Sequence, residues 1–168
     1  KLILSSVLEV NVGRGRGGYT EKQVFYKDTA GRKVIDRGAI FVAERYMDLG
    51  FEPVFRCERR KNGARQYDLT IKTSDDLYYI KNIEVKRTTS PNPSQMAKNI
   101  KEGFGQFKYY SNATVAIYLP QYDSNSVEGR KYIQAGFNEA MRKGHVLGHV
   151  EVWFNDKGTI YMNSGGIL

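Results

Sequence analysis

Cysteine is nearly missing from this chain. Cys57 stands alone among 168 residues, so no internal disulfide can staple the fold and no cysteine cluster can cage a structural zinc. Histidine is as scarce, with only His145 and His149. Gly148 lies between them and no helix is expected there to turn both rings toward one ion. Neither they nor Cys57 have the local activating context that nucleophilic triad chemistry needs. No apolar run approaches about twenty residues, so no membrane span is expected. Nor does any stretch combine the basic, apolar and small-residue parts of a signal peptide. Acid is short relative to base: 18 Asp and Glu against 26 Lys and Arg give +8 and a pI near 9.5. Such a surface attracts phosphate backbones with an affinity that falls as salt rises, and the expected partner is nucleic acid. A chain of this length buries about two thirds of its unfolded surface, enough for one domain that folds without disulfide or metal.

The most informative stretch is Glu84-Val85-Lys86 with Asp68 sixteen residues upstream. Tyr67 to Thr73 alternates, with Leu69 and Ile71 on one face and Asp68, Thr70 and Lys72 on the other. The polar turn Ser74-Asp75-Asp76 follows, and then a run from Leu77 to Arg87 rich in β-formers. There Ile83 and Val85 share a face while Glu84 and Lys86 share the opposite one. If the apolar faces of both strands meet one core, Asp68, Glu84 and Lys86 lie together on the other side. A three-residue turn pairs Asp68 with Asn82 and makes Glu84 its diagonal neighbour at roughly 7–8 Å between backbones, a gap two carboxylates close by reaching toward one cation.

An isolated E-x-K triplet is ordinarily a solvated strand face. The residue types here point further. Carboxylates suit a hard divalent ion such as magnesium or manganese, which polarises a phosphodiester and lowers the pKa of bound water. A lysine beside them orients that water or offsets charge developing on phosphate. A further acid sits in the helix expected over residues 34–49, where Ile40, Ala43 and Met47 form an apolar stripe with Glu44 set inside it. Glu44 either snorkels outward or faces the mouth of the metal site.

Basic residues interleave with turn residues from Phe55 to Arg65. Asn62-Gly63 marks a hairpin tip that carries Arg59, Arg60, Lys61 and Arg65 beside the acids, placed to hold a substrate backbone. Twelve tyrosines include candidates for stacking on unpaired bases, though most tyrosines serve cores and rims. Near the start, Leu2 to Val12 reads as a strand or a short helix. The following Gly13-Arg14-Gly15-Arg16-Gly17-Gly18 matches G-x-G-x-x-G, but no helix opens behind it and no parallel βαβ unit follows, so it reads as a basic arm or linker. Residues 1–32 are accordingly set apart from a domain at 33–168.

Three strands are expected near 51–58, 67–73 and 77–87. Asn92-Pro93 then caps and opens a helix to about Tyr110 with Met96, Ile100, Phe104 and Phe107 inward. Ala113 to Leu119 is a strand buried on both faces. A helix at about 126–143 follows, with Ile133, Phe137, Ala140 and Met141 inward, and then a hairpin of 149–154 and 159–162 turning at Asp156-Lys157-Gly158. The fold class is α/β, a central mixed sheet flanked by helices.

With its order of helix, three strands, helix and strand, and with Asp68 and Glu84-Val85-Lys86 in place, the chain resembles the PD-(D/E)xK nuclease superfamily. The resemblance covers about 33–120 and implies a restriction-endonuclease-like αβββαβ core, with 121–168 as a C-terminal helix and hairpin extension. By it Asp68 matches the first acid, Glu84 and Lys86 the E-x-K element, and Glu44 the acid of the opening helix. Tyr67 replaces the usual proline before the first acid. The chain is more specifically similar to C-terminal toxin domains of bacterial contact-dependent growth inhibition proteins. The pieces that carry this are its size, its basic charge, Gly50-Phe51-Glu52-Pro53-Val54 after the helix, and Glu84 to Ser90 before the next one. A start at Lys1 without an initiator methionine also reads as a piece of something larger. The resemblance implies a metal-dependent nuclease carried on a larger cell-surface or secreted protein and acting in the cytoplasm of a neighbouring bacterium. It favours tRNA as substrate, keeps DNA as the alternative, and implies a cognate immunity protein that neutralises the basic surface. From another class, the residues also admit a nucleic-acid-binding module whose acids are structural.

Overall fold

Short runs of β-branched and aromatic residues build a seven-stranded mixed sheet, and three amphipathic helices cover its two faces. The structure is a computed structural model that describes residues 3–12, 19–57, 66–73, 79–90, 92–107, 113–163 and 166–167. In chain order the elements are β1 (Ile3–Val12), β2 (Tyr19–Lys27), α1 (Arg37–Asp48), β3 (Glu52–Phe55), β4 (Leu69–Lys72) and β5 (Tyr79–Arg87). Then come α2 (Pro93–Phe104), β6 (Ala113–Leu119), α3 (Val127–Arg142), β7 (His149–Phe154), β8 (Thr159–Asn163) and β9 (Gly166–Ile167). The sheet runs β3-β4-β5-β6-β7-β8-β9, antiparallel except at β5/β6 and β6/β7, where the strands are parallel. Among the described residues no helix is long and apolar enough to cross a membrane.

The mixed sheet with flanking helices follows the sequence pattern, and so does the element order from α1 to β8. Of the alternatives for Leu2 to Val12, the strand is the one formed. It pairs antiparallel with β2, whose many polar residues hide its alternation, and together they make a separate two-stranded sheet. Gly13 to Gly18, read as a basic arm, lie outside the described residues.

Two cores sandwich the sheet. On one face α2 and α3 bury Met96, Ile100, Phe104, Ile133 and Phe137 against Val115, Ile117, Val150 and Val152. Helix α2 begins where Asn92 caps it, its side chain accepting from Ser94 N at 2.9 Å, with Pro93 at the first position. It lies so close to β6 that a Cβ on Gly103 would fall 2.7 Å from Val115 Cγ2. Helix α3 crosses α2 just as tightly, since a Cβ on Gly136 would fall 2.6 Å from Met96 Sδ. On the other face α1 buries Ala39, Val42, Ala43 and Tyr46 against Leu69, Ile71, Ile83, Val85, Ala116 and Trp153. Strand β6 therefore has both faces in core, as its apolar run predicts.

The stripe expected on α1 is rotated. Met47 is exposed and Ile40 only half-buried, while Ala39, Val42, Ala43 and Tyr46 face the sheet. Small residues let the helix sit close, and that contact outweighs the larger side chains on the neighbouring face. At its far end α1 is tied down by a polar cluster. The Tyr46 hydroxyl donates to Glu151 at 2.8 and 2.6 Å, Trp153 Nε1 donates at 3.0 Å, and Lys81 Nζ reaches the same carboxylate at 3.1 Å. Burial and then the Glu151 carboxylate raise the pKa of the Tyr46 hydroxyl, so it remains a donor.

Candidate active site

Strand register decides where the acids go. Leu69 pairs with Ile83, Thr70 with Asn82 and Ile71 with Lys81, and Asp68 N donates to Ile83 O at 3.1 Å, which extends the ladder past the strand end. Asn82 is taken by Thr70, so Asp68 is not across from it as a three-residue turn would give, and the same register continued past the strand end sets Asp68 against Glu84. One physical reason is a β-bulge. The register shifts between Ile71 and Lys72, where Lys72 pairs with Tyr79, so β5 takes up an extra residue there. The turn Ser74-Asp75-Asp76 itself lies outside the described residues. Because the correction is by two positions, the faces are preserved while the diagonal pair becomes a direct one.

Asp68 is pinned by backbone on both sides. Its Oδ2 accepts from Val85 N at 2.8 Å, and its carbonyl accepts from Arg56 N at 2.8 Å. These bonds leave the rest of its carboxyl facing Glu84. Asp68 is 9% exposed and Glu84 5%, and the two side chains are in hydrogen-bonding contact. Lys86, two residues on and on the same face, brings its Nζ to 3.5 Å from Glu84 Oε2. Flanking polar pairs border this face: Thr70 Oγ1 donates to Asn82 Oδ1 at 3.2 Å, and Asn99 Nδ2 of α2 donates to Thr88 Oγ1 at 2.8 Å. Burial, and then the Asp68 carboxylate alongside, push the Glu84 carboxyl well above the ordinary carboxylate range, and Lys86 pulls it back only in part.

Glu44, the fourth expected member, is not brought to this trio. Its Oε1 accepts from the Tyr26 hydroxyl at 3.1 Å, and Tyr26 packs in the core on the α1 side of the sheet, whereas Glu84 alternates with Ile83 and Val85 of that core and so faces the other side. The acid that α1 does bring near Asp68 is its N-cap, Asp36, whose Oδ1 accepts from Ala39 N at 3.0 Å. Asp36 and Asp68 both line a cleft of about 160 Å³, together with Arg32, Lys33 and Arg56. Asp36 and Arg56 were thus the site-edge residues missed in the sequence. The Asp36-to-Ala39 capping spacing was the available signal for the first. Arg56 belongs to the basic run already noted, but three residues ahead of the first of those chosen. Those residues, Arg59, Arg60, Lys61 and Arg65, lie outside the described part of the chain.

The donor set suits a hard divalent ion. Among the described residues no three His, Cys, Asp or Glu side chains form a cage. Magnesium does not require one, since it commonly takes one or two carboxylates and completes its shell with water and substrate phosphate. Two buried carboxyls in contact cannot both be ionised without strong mutual repulsion, and either a shared proton or a cation relieves it. The side chains that would hold the ion are Asp68 and Glu84. Comparison with family models, with curated proteins and with solved structures gives no match.

Proposed function

We propose that the chain is a metal-dependent endonuclease that hydrolyses phosphodiester bonds of nucleic acid. The observation that carries this reading is the contact between the buried Asp68 and Glu84 carboxyls with Lys86 at 3.5 Å. Asp68 and Glu84 would hold magnesium or manganese, which when bound supplies Lewis acidity and a more acidic water. Asp68 is preset for this by the Val85 N–H, which fixes its carboxylate on the side facing Glu84. Lys86, about a quarter exposed, offsets negative charge on the phosphate and orients the attacking water. Glu84, on a central strand with β4 and β6 on either side, keeps its place without help from a loop.

The order α1-β3-β4-β5-α2-β6, with Asp68 at the mouth of β4 and Glu84 in β5, supports the resemblance to the PD-(D/E)xK superfamily and its restriction-endonuclease-like core. The net charge of +8 supports a polyanionic substrate. On the narrower resemblance to contact-dependent inhibition toxins, the substrate is tRNA before DNA. The setting would then be the cytoplasm of a target bacterium, and an immunity protein would cover the basic surface in the producer. Incubating the purified chain with total RNA and with plasmid DNA, with magnesium or with chelator, tests the reading. Chelator-sensitive loss of one substrate before the other is expected. Intact RNA and DNA across magnesium and manganese would leave the second reading, a nucleic-acid-binding module with structural acids.

A further inference from the structure

Arg56 follows directly on β3, and its position is coupled to that of the first acid. Its backbone N–H donates to the Asp68 carbonyl at 2.8 Å, and both residues line one cleft. The cation lies over the Tyr67 ring, 6.0 Å from its centroid, and Tyr67 in turn stacks on Phe107 with centroids 5.2 Å apart and planes 10° apart. This stack presets the side chain, which lowers the entropy lost when it grips a ligand. Its Nε is nevertheless buried without any hydrogen-bond partner. A buried N–H of a charged group left without an acceptor costs free energy that an arriving acceptor returns.

What acceptor fits follows from the surroundings. Arg56 borders the same cleft as Asp68, with Arg32 and Lys33 on its rim. Two cationic side chains beside the Arg56 guanidinium fork favour an oxyanion, and phosphate matches that fork best. Asp36 and Asp68 in the same cleft oppose a lone free anion. They oppose much less a phosphate that belongs to a strand already held by the neighbouring acids and their cation. We propose that Arg56 is a substrate-positioning residue that grips a backbone phosphate next to the scissile one, with the cleft as the path of that strand. This rests on the nuclease reading above and adds to it a defined subsite.

The test uses the full chain carrying Lys86→Ala with magnesium present, which slows cutting while leaving both carboxyls to hold the ion, and measures its affinity for a fluorescein-labelled tRNA and for a labelled DNA duplex across a potassium chloride series. Adding Arg56→Ala should weaken binding about tenfold, equivalent to about 1.4 kcal/mol. It should also reduce the slope of log affinity against log salt by about 0.7–0.9, the share of one phosphate contact. Arg56→Lys should restore the slope while recovering only part of the affinity, because ammonium lacks the fork. Should Arg56→Ala melt too early to assay, Arg56→Gln keeps the bulk and removes the charge, with the same slope change expected. Unchanged affinity and slope overturn the subsite, as does weaker binding with an unchanged slope, which marks a packing role against Tyr67. Chelator-sensitive cutting by the unsubstituted chain is scored separately. If cutting stands and the slope does not move, only the subsite fails; if cutting and binding are both absent, the nuclease reading fails with it.

Discussion

Two acids lie within the sheet at almost the same depth, Glu84 at 5% and Glu151 at 1% exposure, and their surroundings are opposite. Glu151 is served on every side: both oxygens accept from Tyr46, one also from Trp153 and the other from Lys81. Its charge is matched by donors and by a cation, and it holds α1, β5 and β7 together. Glu84 meets instead another carboxyl, with a lysine at 3.5 Å that compensates only in part. A buried acid with full hydrogen bonding is architecture, whereas one pressed against a second acid invites a cation. Burial alone would not have separated them. The identity of the neighbours does.

The largest effects should come from the carboxyl pair of Asp68 and Glu84. Glu84→Gln or Asp68→Asn should lower the metal-dependent cutting rate by a factor on the order of 10² to 10³ or more, and Lys86→Ala by a comparable factor. Salt-dependent binding of the substrate should stay, as an electrophoretic shift assay would show. Retained cutting in Glu84→Gln would remove the distinction between the two acids from the functional side.

Next in size is the served acid. Glu151→Ala strands Lys81 and the Tyr46 hydroxyl, and breaking a buried pair in this way costs about 3–5 kcal/mol. For a chain of this length that lowers the melting temperature by roughly 10 °C. Cutting measured well below the transition should stay close to that of the unsubstituted chain. A selective loss of activity with unchanged melting would reverse the assignment of this cluster as architectural.

Smaller, and of a definite sign, is the pH dependence. With its pKa raised in the folded state, Glu84 holds a proton that the unfolded chain has already released as pH climbs past the ordinary carboxylate range, so stability falls with rising pH. In chelator, the melting temperature should drop by at least about 5 °C between pH 5 and pH 8. The Glu84→Gln variant should show a visibly flatter profile, and excess manganese should recover the loss. A calorimetric profile with identical slopes for both proteins would contradict the electrostatics described for the pair. The smallest change is expected from Glu44→Gln, which removes a charge but keeps an acceptor for the Tyr26 hydroxyl and should shift stability by no more than about 0.5 kcal/mol. Its cutting rate should match the unsubstituted chain in the same RNA and DNA digestions. A loss as large as that of Glu84→Gln would return Glu44 to the site.

What could be read in the residues depended on whether a single periodicity carried it. Ile83 and Val85 alternate with Glu84 and Lys86 without interruption, so the shared face of the E-x-K element was visible before any coordinates. The spacing of Met96, Ile100, Phe104 and Phe107 likewise marked the inner side of α2 and its 3-10 extension, and all four are buried. The partner of Asp68 was not legible, because register depends on loop length and on a bulge at Ile71/Lys72 that no residue type announces. The inner face of α1 was misread because size was taken for burial. Ala39 and Ala43 are small, and it is their smallness that lets the helix approach the sheet and turn Met47 outward. That rotation also matters for Glu44, whose carboxylate ends beside Tyr26. The Glu151 cluster was missed because a lone acid between Val150 and Val152 looks like any alternating strand until Tyr46 is known to lie above it.

The most direct test of the central claim is manganese binding, followed by electron paramagnetic resonance, in the unsubstituted chain and in Glu84→Gln with an oligonucleotide present. One ion bound per unsubstituted chain, and its loss in Glu84→Gln, is the result predicted for a carboxyl pair that shares a cation. Equal occupancy in the two proteins, or none in either at millimolar manganese, would contradict it.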